Sequence, residues 1–407
     1  MDGIHLNQDQ TRIVLKAVDW FFNSSEQIFQ FSGGPGTGKS VTLNAIVNEI
    51  CKKKRINIAP MAYTGAASIV MRMKGMPMAR TIHSWLYKSV EVPIVDAYGN
   101  QVYDKYFNVP LTELKFVPNT EEMNYVDLIV LDEGGMVPME MRDDMLATGK
   151  KILVAGDIYQ LPPISGNSAF LTTGKVEMLK EIMRQENNSA IVYLSQRALH
   201  GLPIHTGVYG DCLVIQRHEL TKEMLIYSNI ILCGTNKTRE SFNKFFRKEI
   251  LGFEGNLPHM GEKLICKRNN WSLESGGVNL TNGMSGIVIN EPDIRSYKNR
   301  MFTIDFNPLL TNSPFFGITV DYDYFTAPFI RKQEIRNMRR PRQANQFDFG
   351  YAQTVHTAQG SQWYTGLYFM ESMKDQNQID YTAISRFARN CIIVKENTKY
   401  YVGGNLI

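Results

Sequence analysis

Short apolar runs alternate with amphipathic segments through the first half of the chain. The apolar runs lie at 28–31, 56–59, 128–131 and 152–155. Compact runs of this kind predict strands buried on both faces of a parallel sheet, and the helical pattern between them, as at 41–50, predicts an α/β domain. Ligands of such domains bind at the carboxyl ends of the strands, so polar sequences that follow a run are the first candidates for a site.

The second half of the chain repeats this alternation. Apolar runs lie at 230–233, 367–370 and 391–394, and the segments 351–359 and 381–388 have a helical pattern. We therefore expect a second α/β domain, which lacks a phosphate-binding loop of its own.

Two stretches interrupt the rhythm and predict β-rich insertions. In 87–125, Gly99-Asn100 separates alternating runs, which is typical of a hairpin. In 259–346, strand-like segments surround a second turn signal at Asn282-Gly283. This stretch ends in the run 331–342, which has six Lys or Arg and one Glu and is either a solvated face or a contact to phosphates.

One sequence predicts a nucleotide site. Gly33-Gly34-Pro35-Gly36-Thr37-Gly38-Lys39-Ser40 matches the phosphate-loop pattern G-x-x-x-x-G-K-[ST] and lies between a predicted strand and a predicted helix. Glycines let backbone N–H groups turn toward an anion, and the helix N-terminus adds the positive end of a dipole. We expect Lys39 to reach the β- and γ-phosphates and Ser40 to hold a magnesium ion. The alternative is a glycine-rich surface turn.

Two further polar sequences follow predicted strands. Asp132-Glu133 ends the run 128–131, and acids in this place bind the magnesium shell and activate the attacking water in phosphate-loop enzymes. Gly156 to Pro163 follows the run 152–155, where the Gln160 amide is placed to sense a γ-phosphate. The alternatives are an ordinary acidic strand end and a turn stabilised by two prolines.

Composition narrows the class of protein without naming a partner. The 407 residues are 43% hydrophobic and 21% charged, and a net charge of +4 permits a polyanionic partner without requiring one. The chain has no apolar window of membrane-spanning length and no signal-peptide pattern. Its five cysteines are widely spaced, which predicts reduced thiols and no zinc site. We expect a cytoplasmic protein.

Nine segments carry a family resemblance when taken in order. They are Leu6 to Gln10, the phosphate loop, Thr64 to Ala67, Thr81 to Ser84, Asp132-Glu133, Gly156 to Pro163, Arg184-Gln185, Tyr351 to Gly360 and Tyr381 to Arg386. The set resembles superfamily 1 helicases of the RecD-like branch, which includes small phage enzymes. The resemblance implies an α/β fold of two RecA-like motor domains, with a wedge hairpin and an SH3-like β-barrel as insertions. The implied bounds are 1–86 with 126–175 for the first motor domain, 87–125 for the hairpin, 176–258 with 347–407 for the second motor domain, and 259–346 for the barrel.

The resemblance also implies where ATP and Mg²⁺ bind. Gln10 matches the position that reads the adenine edge, and Gln362 stands where many relatives have a Glu that faces the ribose. Ser40 and Asp132 match the magnesium ligands, and Gly33 to Ser40 match the phosphate ligands. The implied catalytic residues are Lys39, Glu133 as the base, Gln160 as the γ-phosphate sensor, and Arg184 and Arg386 as the arginines that reach the γ-phosphate.

Other matching positions imply a track for single-stranded nucleic acid. Hydroxyl, amide and imidazole groups bind phosphates without reading sequence, and aromatic rings stack on bases. The track residues are Thr64, His83, Trp85, Thr235, Asn236, Thr354 and His356. For Trp85 a core position is the alternative, and for His83 a role in stabilising a turn.

This chain departs from the family pattern at Gly134-Gly135, where relatives have small polar residues. Glycine loosens a backbone, so we expect weaker coupling between hydrolysis and the DNA track. Ala66 replaces a common basic residue, which removes one phosphate contact.

The sequence therefore favours an ATP-dependent DNA helicase that moves on single-stranded DNA, 5′ to 3′ by resemblance, and unwinds duplexes in replication, recombination or repair. We expect single-stranded DNA and single-strand/duplex junctions as partners, a single-strand-binding protein as a further one, and a monomer. The alternatives are an ATP-switched single-strand-binding or loading module with little turnover, and a kinase of a small metabolite.

Overall fold

The computed structural model describes residues 5–103, 108–163, 168–181, 189–294, 300–311, 313–337 and 344–396. The α-helices, in chain order, are α1 (Gln8–Asn23), α2 (Lys39–Lys53), α3 (Gly65–Met73), α4 (Ile82–Leu86), α5 (Thr120–Asn124), α6 (Met139–Ala147), α7 (Ala190–Leu199), α8 (Lys222–Tyr227), α9 (Asn236–Phe245), α10 (Tyr322–Thr326), α11 (Phe329–Asn337) and α12 (Gln376–Ser385). None of these helices has both the length and the apolar character needed to cross a membrane.

The β-strands, in chain order, are β1 (Ile28–Gly33), β2 (Ile58–Ala62), β3 (Arg80–Thr81), β4 (Tyr87–Pro93), β5 (Thr112–Pro118), β6 (Leu128–Asp132), β7 (Lys151–Gly156), β8 (Val176–Leu179), β9 (Gly207–Tyr209), β10 (Cys212–Gln216), β11 (Ile231–Cys233), β12 (Lys263–Cys266), β13 (Asn270–Ser275), β14 (Val278–Leu280), β15 (Ser285–Val288), β16 (Met301–Pro308), β17 (Phe315–Asp321), β18 (Phe347–Phe349), β19 (Ala352–Thr354), β20 (Trp363–Met370) and β21 (Phe387–Lys395).

The chain divides into two compact units. Unit 1 comprises residues 1–185 and 255–350, and unit 2 comprises residues 186–254 and 351–407. The sequence predicts 259–346 as an insertion in the second motor domain, whereas its internal contacts group this stretch with unit 1. The α/β fold predicted from the sequence is confirmed.

A six-stranded parallel sheet organises the first part of unit 1. Its strand order is β3-β2-β6-β7-β1-β8, and every neighbouring pair is parallel. The apolar runs of the sequence form its central strands, which are almost wholly buried. The sheet extends past the boundary predicted at residue 175, because β8 pairs with β1.

The two β-rich stretches have the expected strand character. Strands β4 and β5 form an antiparallel hairpin, and Gly99 at its turn has a φ of 84°. The later stretch contributes the ribbon β13–β14 and four strands of a five-stranded antiparallel sheet, β17-β16-β15-β12-β18, whose last strand β18 follows the stretch directly. Phenylalanines fill its core, among them Phe302, Phe306 and Phe347.

Part of the basic run 331–342 stabilises this antiparallel sheet. Lys332 is buried and pairs with Asp348 on β18. Arg336 donates to the Tyr324 hydroxyl at 3.0 Å. Both cations also lie against the Tyr324 ring, so these two side chains have structural partners. The rest of the run, residues 338–342, lies outside the described residues.

Unit 2 contains the predicted second α/β sheet. Its order is β19-β11-β20-β21-β10-β9, with parallel pairing except at the edge strand β9. The helix predicted over 351–359 is wrong. Residues 352–354 pair with β11 instead, Ala352 opposite Ile231, and turns follow. The buried spacing of Tyr351, Val355 and Ala358 suits a helix, but pairing with β11 overrides that local pattern.

Candidate functional site

The phosphate loop closes around its own lysine. Gly36 and Gly38 have φ values of 77° and 79°, a left-handed conformation that favours glycine. Lys39 Nζ donates to the carbonyl oxygens of Gly33 and Gly34 at 2.8 and 3.1 Å. The ammonium group thus lies inside the loop at the N-terminus of α2, where a helix dipole also favours an anion. This geometry fits the phosphate chain of a nucleotide.

Gln10 ties helix α1 to this loop. Its Nε2 donates to Thr37 O at 3.3 Å, and its Oε1 accepts from the Asn7 backbone N–H at 3.1 Å. The Asn7 side chain in turn accepts from Gln10 N, so the two residues form a capping box. Gln10 is fully buried. Its role at an adenine edge stays a prediction.

Two acids lie at the carboxyl end of β6. Asp132 pairs in register with Ala62 of β2, and Asp132 Oδ1 accepts from Glu133 N at 2.9 Å. Burial raises the pKa of Asp132 and the Glu133 carboxylate adds to this, while the ammonium groups of Lys74 and Lys39 act in the opposite direction. Glu133 has a φ of 54°, a conformation that is strained for a residue with a side chain and is common at functional sites.

The donor set at this edge suits magnesium. A hydroxyl at Ser40 and a carboxylate at Asp132 are hard oxygen ligands of the kind that Mg²⁺ prefers. A positively charged side chain also lies beside Ser40, since Lys74 Nζ is 3.3 Å from Ser40 Oγ. The residues present therefore fit the predicted metal.

Close packing explains why a glycine, Gly134, follows the two acids. A gain in backbone flexibility is not needed as an explanation. A Cβ at Gly134 would lie 2.4 Å from Val154 Cγ1 of β7. The hydrogen-bonded turn over 134–136 keeps Gly134 buried, and neither Gly134 nor Gly135 has a positive φ. Gly135 is less crowded, because its nearest contact would be 3.5 Å away. We expected the glycines to loosen the backbone. At Gly134 close packing removes the reason for that expectation.

Gln160 belongs to a turn that is held from two sides. Its Nε2 lies 3.3 Å from Asp157 Oδ2, and its backbone N–H donates to Asp157 O. The Ser32 hydroxyl at the end of β1 accepts from Ile158 N at 3.0 Å. The turn therefore lies beside the phosphate loop, since Ser32 also pairs in register with Gly156. This is where a γ-phosphate sensor is needed.

Of the two predicted arginines, unit 2 contains Arg386, and Arg184 lies outside the described residues. Arg386 follows helix α12, is almost fully buried, and donates from Nη1 to Ser361 O at 3.4 Å. Gln362, the predicted ribose contact, is exposed next to Ser361. Both residues thus lie near one turn of unit 2.

Threonines cap the turns that follow adjacent strands in both sheets. In unit 1, Thr64 lies two residues after β2, and Thr81 is the last residue of the neighbouring strand β3. The hydroxyl oxygen of each threonine accepts from the backbone N–H three residues later. In unit 2, Thr235 and Thr354 occupy the same place on the neighbours β11 and β19. Asn236 is the first residue of α9. Each unit thus presents two threonine-capped turns at one side of its sheet, and the turns at Thr64 and Thr235 begin helices α3 and α9, whose N-termini are the kind of feature that binds phosphate.

The remaining track candidates differ in burial. His83 packs against the rings of Tyr87 and Phe116 at the base of the hairpin. Burial lowers the pKa of His83, and likewise that of His356, so both imidazoles are neutral near pH 7.

Trp85 lies in the core, which was the alternative to a place in the track. It is 5% exposed, its indole N–H donates to Pro60 O at 2.8 Å, and the Arg80 guanidinium covers its ring. We therefore leave Trp85 out of the proposed track.

Sequence reasoning missed two residues at these sites. Lys74 follows α3 outside every motif, and only the fold brings it to Ser40. Glu371 follows β20 and accepts from the Thr235 hydroxyl and the Thr238 hydroxyl at 2.9 and 2.6 Å. The threonine spacing at 235 and 238 was the available signal for a shared partner, but it does not say which acid binds there.

The glycine packing predicts a large difference between two neighbouring substitutions. Gly134→Ala forces a methyl group against Val154 in a close-packed strand, so we expect a loss of about 1–3 kcal/mol in the free energy of unfolding. Gly135→Ala, the matched control, adds a methyl group at ordinary contact distances. Its loss in the free energy of unfolding should be much smaller than that of Gly134→Ala. Denaturant unfolding of both variants measures this. Equal losses would contradict the packing account.

Asp380 predicts a pH dependence in unit 2. It lies in the middle of α12, where burial raises its pKa to about 6, and it accepts from the Tyr368 hydroxyl and Gln376 Nε2, each at 2.5 Å. The ordinary Asp pKa is about 3.9, so the folded state binds this proton more tightly than the unfolded state. The stability contributed by this group is therefore present at acid pH and is lost as pH rises from about 4 to about 6.

Asp380→Asn removes this titration. The unfolding free energy of the variant relative to wild type should therefore rise by on the order of 2 kcal/mol between pH 4.5 and pH 7. Asp375→Asn, an exposed Asp before the same helix, is the control and should follow wild type. If the curves for Asp380→Asn and wild type stay parallel over this pH range, the assignment is wrong.

Comparisons with known proteins agree with this geometry. A family model described as an AAA domain matches residues 5–211, about half of the chain. The ATP-dependent RecD2 DNA helicase of Deinococcus radiodurans is 25% identical over 386 residues, which cover 89% of this chain and 46% of that protein. The RecBCD enzyme subunit RecD of Buchnera aphidicola is 24% identical over 244 residues, 55% of this chain and 38% of the subunit. The chain thus spans less than half the length of these curated relatives.

Solved structures show the same fold. Pif1 helicase from Candida albicans has a TM-score of 0.54 at 17% identity, covering 96% of this chain and 94% of that chain. Pif1 from Bacteroides bound to single-stranded DNA has a TM-score of 0.55 at 16% identity, covering 96% and 92%. The chain therefore belongs to the AAA domain family and has the fold of the Pif1 helicases.

Proposed function

We propose that this protein is an ATP-dependent DNA helicase that moves along single-stranded DNA and unwinds duplexes. One observation carries the proposal. In unit 1 a phosphate loop, an Asp-Glu pair and a glutamine turn lie at the carboxyl ends of β1, β6 and β7, while capped N-termini follow β2 and β3 in the same sheet. Nucleotide chemistry and a phosphate-binding surface thus share one sheet.

Each residue near the nucleotide has a distinct task. Lys39 and the backbone N–H groups of the loop bind the phosphates, and Gln10 holds the loop against α1. Glu133 takes the proton of the attacking water, while Gln160 responds to the γ-phosphate. Ser40 and Asp132 would hold Mg²⁺, which supplies positive charge to the phosphate oxygens when bound. The family resemblance assigns to Arg386 the neutralisation of charge that develops during transfer.

The track residues bind the DNA backbone. Thr64 of unit 1 and Thr235 and Thr354 of unit 2 cap turns whose N–H groups suit phosphates, and Asn236, His83 and His356 add polar contacts. Neutral imidazoles donate hydrogen bonds without the salt dependence of a full charge. Such contacts carry no base specificity, as a motor that passes every sequence requires.

The finer features of the proposal follow the family resemblance. We propose 5′-to-3′ movement, action on single strands and fork junctions, and work as a monomer in replication, recombination or repair, with a single-strand-binding protein as a partner. RecD2 and the Pif1 proteins are named as DNA helicases, and Pif1 structures include complexes with single-stranded and forked DNA.

The main alternative is an ATP-switched DNA-binding or loading module with little turnover. Its support was Gly134-Gly135, and the packing of Gly134 against Val154 gives that glycine a structural reason instead. Glu133 and Gln160 follow β6 and β7, in the sheet whose strand β1 leads to the phosphate loop, and this supports turnover.

ATP hydrolysis with and without single-stranded DNA tests the proposal. We expect the DNA to stimulate turnover strongly, and Lys39→Ala to abolish it. Glu133→Gln should still bind ATP but hydrolyse it roughly 10²–10⁴-fold more slowly, because it lacks the base. Glu140→Gln on α6, which makes the same chemical change at an exposed site, should match wild type. Nucleotide binding without DNA-stimulated turnover would support the switch module.

A further inference from the structure

Lys74 brings a second ammonium group to the nucleotide site. The residue caps the C-terminus of α3, and its backbone N–H donates to Val70 O at 3.1 Å. Its Nζ lies 3.3 Å from Ser40 Oγ on α2. Lys74 is otherwise exposed, so its side chain has room to move.

The backbone at this point is fixed against α2. Asn44 Nδ2 donates to Lys74 O, and Asn44 lies one helical turn after Ser40 on the same face of α2. Gly75 has a φ of 107°, and a Cβ there would lie 3.3 Å from Asn44 Nδ2. The chain therefore approaches α2 closely here, and the lysine stem lies along the face that carries both residues.

The ammonium groups of Lys39 and Lys74 lie at different parts of the nucleotide site. Lys39 is engaged by the carbonyls of Gly33 and Gly34, so its amino group lies inside the loop. Lys74 is the cation on the side of Ser40, the residue predicted to hold the metal.

We propose that Lys74 is a tethered counter-ion at the metal position: its ammonium group contacts Ser40 before Mg²⁺ binds, competes with the metal for the Ser40 hydroxyl oxygen, and turns to the phosphates when displaced. This inference rests on the proposed nucleotide site and adds a positioning residue to it. The Lys74 ammonium group makes nucleotide binding less dependent on metal, because its positive charge stays close to the phosphates when Mg²⁺ is absent. It also makes metal binding weaker than the oxygen donors alone would allow.

Fluorescent N-methylanthraniloyl-ADP measures both effects without turnover. Its affinity is determined in EDTA and then across a Mg²⁺ titration, for wild type and Lys74→Gln. We expect Lys74→Gln to lower the half-saturating Mg²⁺ concentration and to weaken metal-free binding, each on the order of threefold to tenfold for one partly screened charge. Mn²⁺ binding to the nucleotide-free protein, followed by electron paramagnetic resonance, should tighten in the same variant.

Matched variants separate charge from structure. Lys54→Gln makes the same change after the far end of α2 and should match wild type. Lys74→Arg keeps the charge and should restore most of the wild-type behaviour. Asn44→Ala loosens the tether and should give an intermediate shift in the same direction.

Three results would overturn the inference: a Lys74→Gln protein indistinguishable from wild type, a half-saturating Mg²⁺ concentration that rises, or a Lys74→Arg protein that behaves like Lys74→Gln. Failure of the proposed nucleotide site has a different signature. In that case wild type binds no fluorescent ADP even at saturating Mg²⁺.

Discussion

The site depends on how closely the chain can pack at the carboxyl ends of β1, β6 and β7. Gly33, Gly134 and Gly156 stand there, and a Cβ at each would lie within about 2.5 Å of a neighbouring atom. Because these positions have no side chain, the phosphate loop, the acids at 132–133 and the Gln160 turn approach one another at a single edge. Packed interiors transmit such constraints, since they have little free volume to absorb a displaced atom.

The proposed function requires nucleotide binding and DNA binding to be linked, and the same edge provides a connection. Strands β2 and β6 are neighbours, and Asp132 lies opposite Ala62, two residues before the capping Thr64. A shift of the acids would therefore act on β2, the strand that leads to the proposed track. Unit 2 repeats the device, with Thr235 tied to Glu371 at the end of the adjacent strand β20. In each unit, strand pairing thus connects the centre of the sheet with threonine-capped turns at its side.

The sequence predicted most of the fold because its signals are local. Buried parallel strands read as apolar runs, and a phosphate loop is a contiguous pattern, so both sheets and the loop could be placed in advance. The segment 351–359 could not, since its spacing suits a helix and only β11, more than a hundred residues away in sequence, turns it into a strand.

Side-chain roles were harder to predict than elements. Trp85 looked like a stacking residue, but a hydrogen bond to Pro60 and the Arg80 guanidinium hold it in the core. Lys332 looked like a free surface cation, but it is buried against Asp348. Lys74 had no motif at all. In each case the deciding partner is distant in sequence, and pattern reasoning has no access to it.

The most direct measurement is strand displacement on a forked DNA duplex with a 5′ single-stranded tail. The account predicts that the wild-type protein separates the strands when ATP is present. A non-hydrolysable ATP analogue should give no strand separation, and Glu133→Gln should bind the fork without separating it. Efficient DNA binding with ATP turnover but no displacement on either tail polarity would contradict it, because the phosphate-binding edge would then not be a motor.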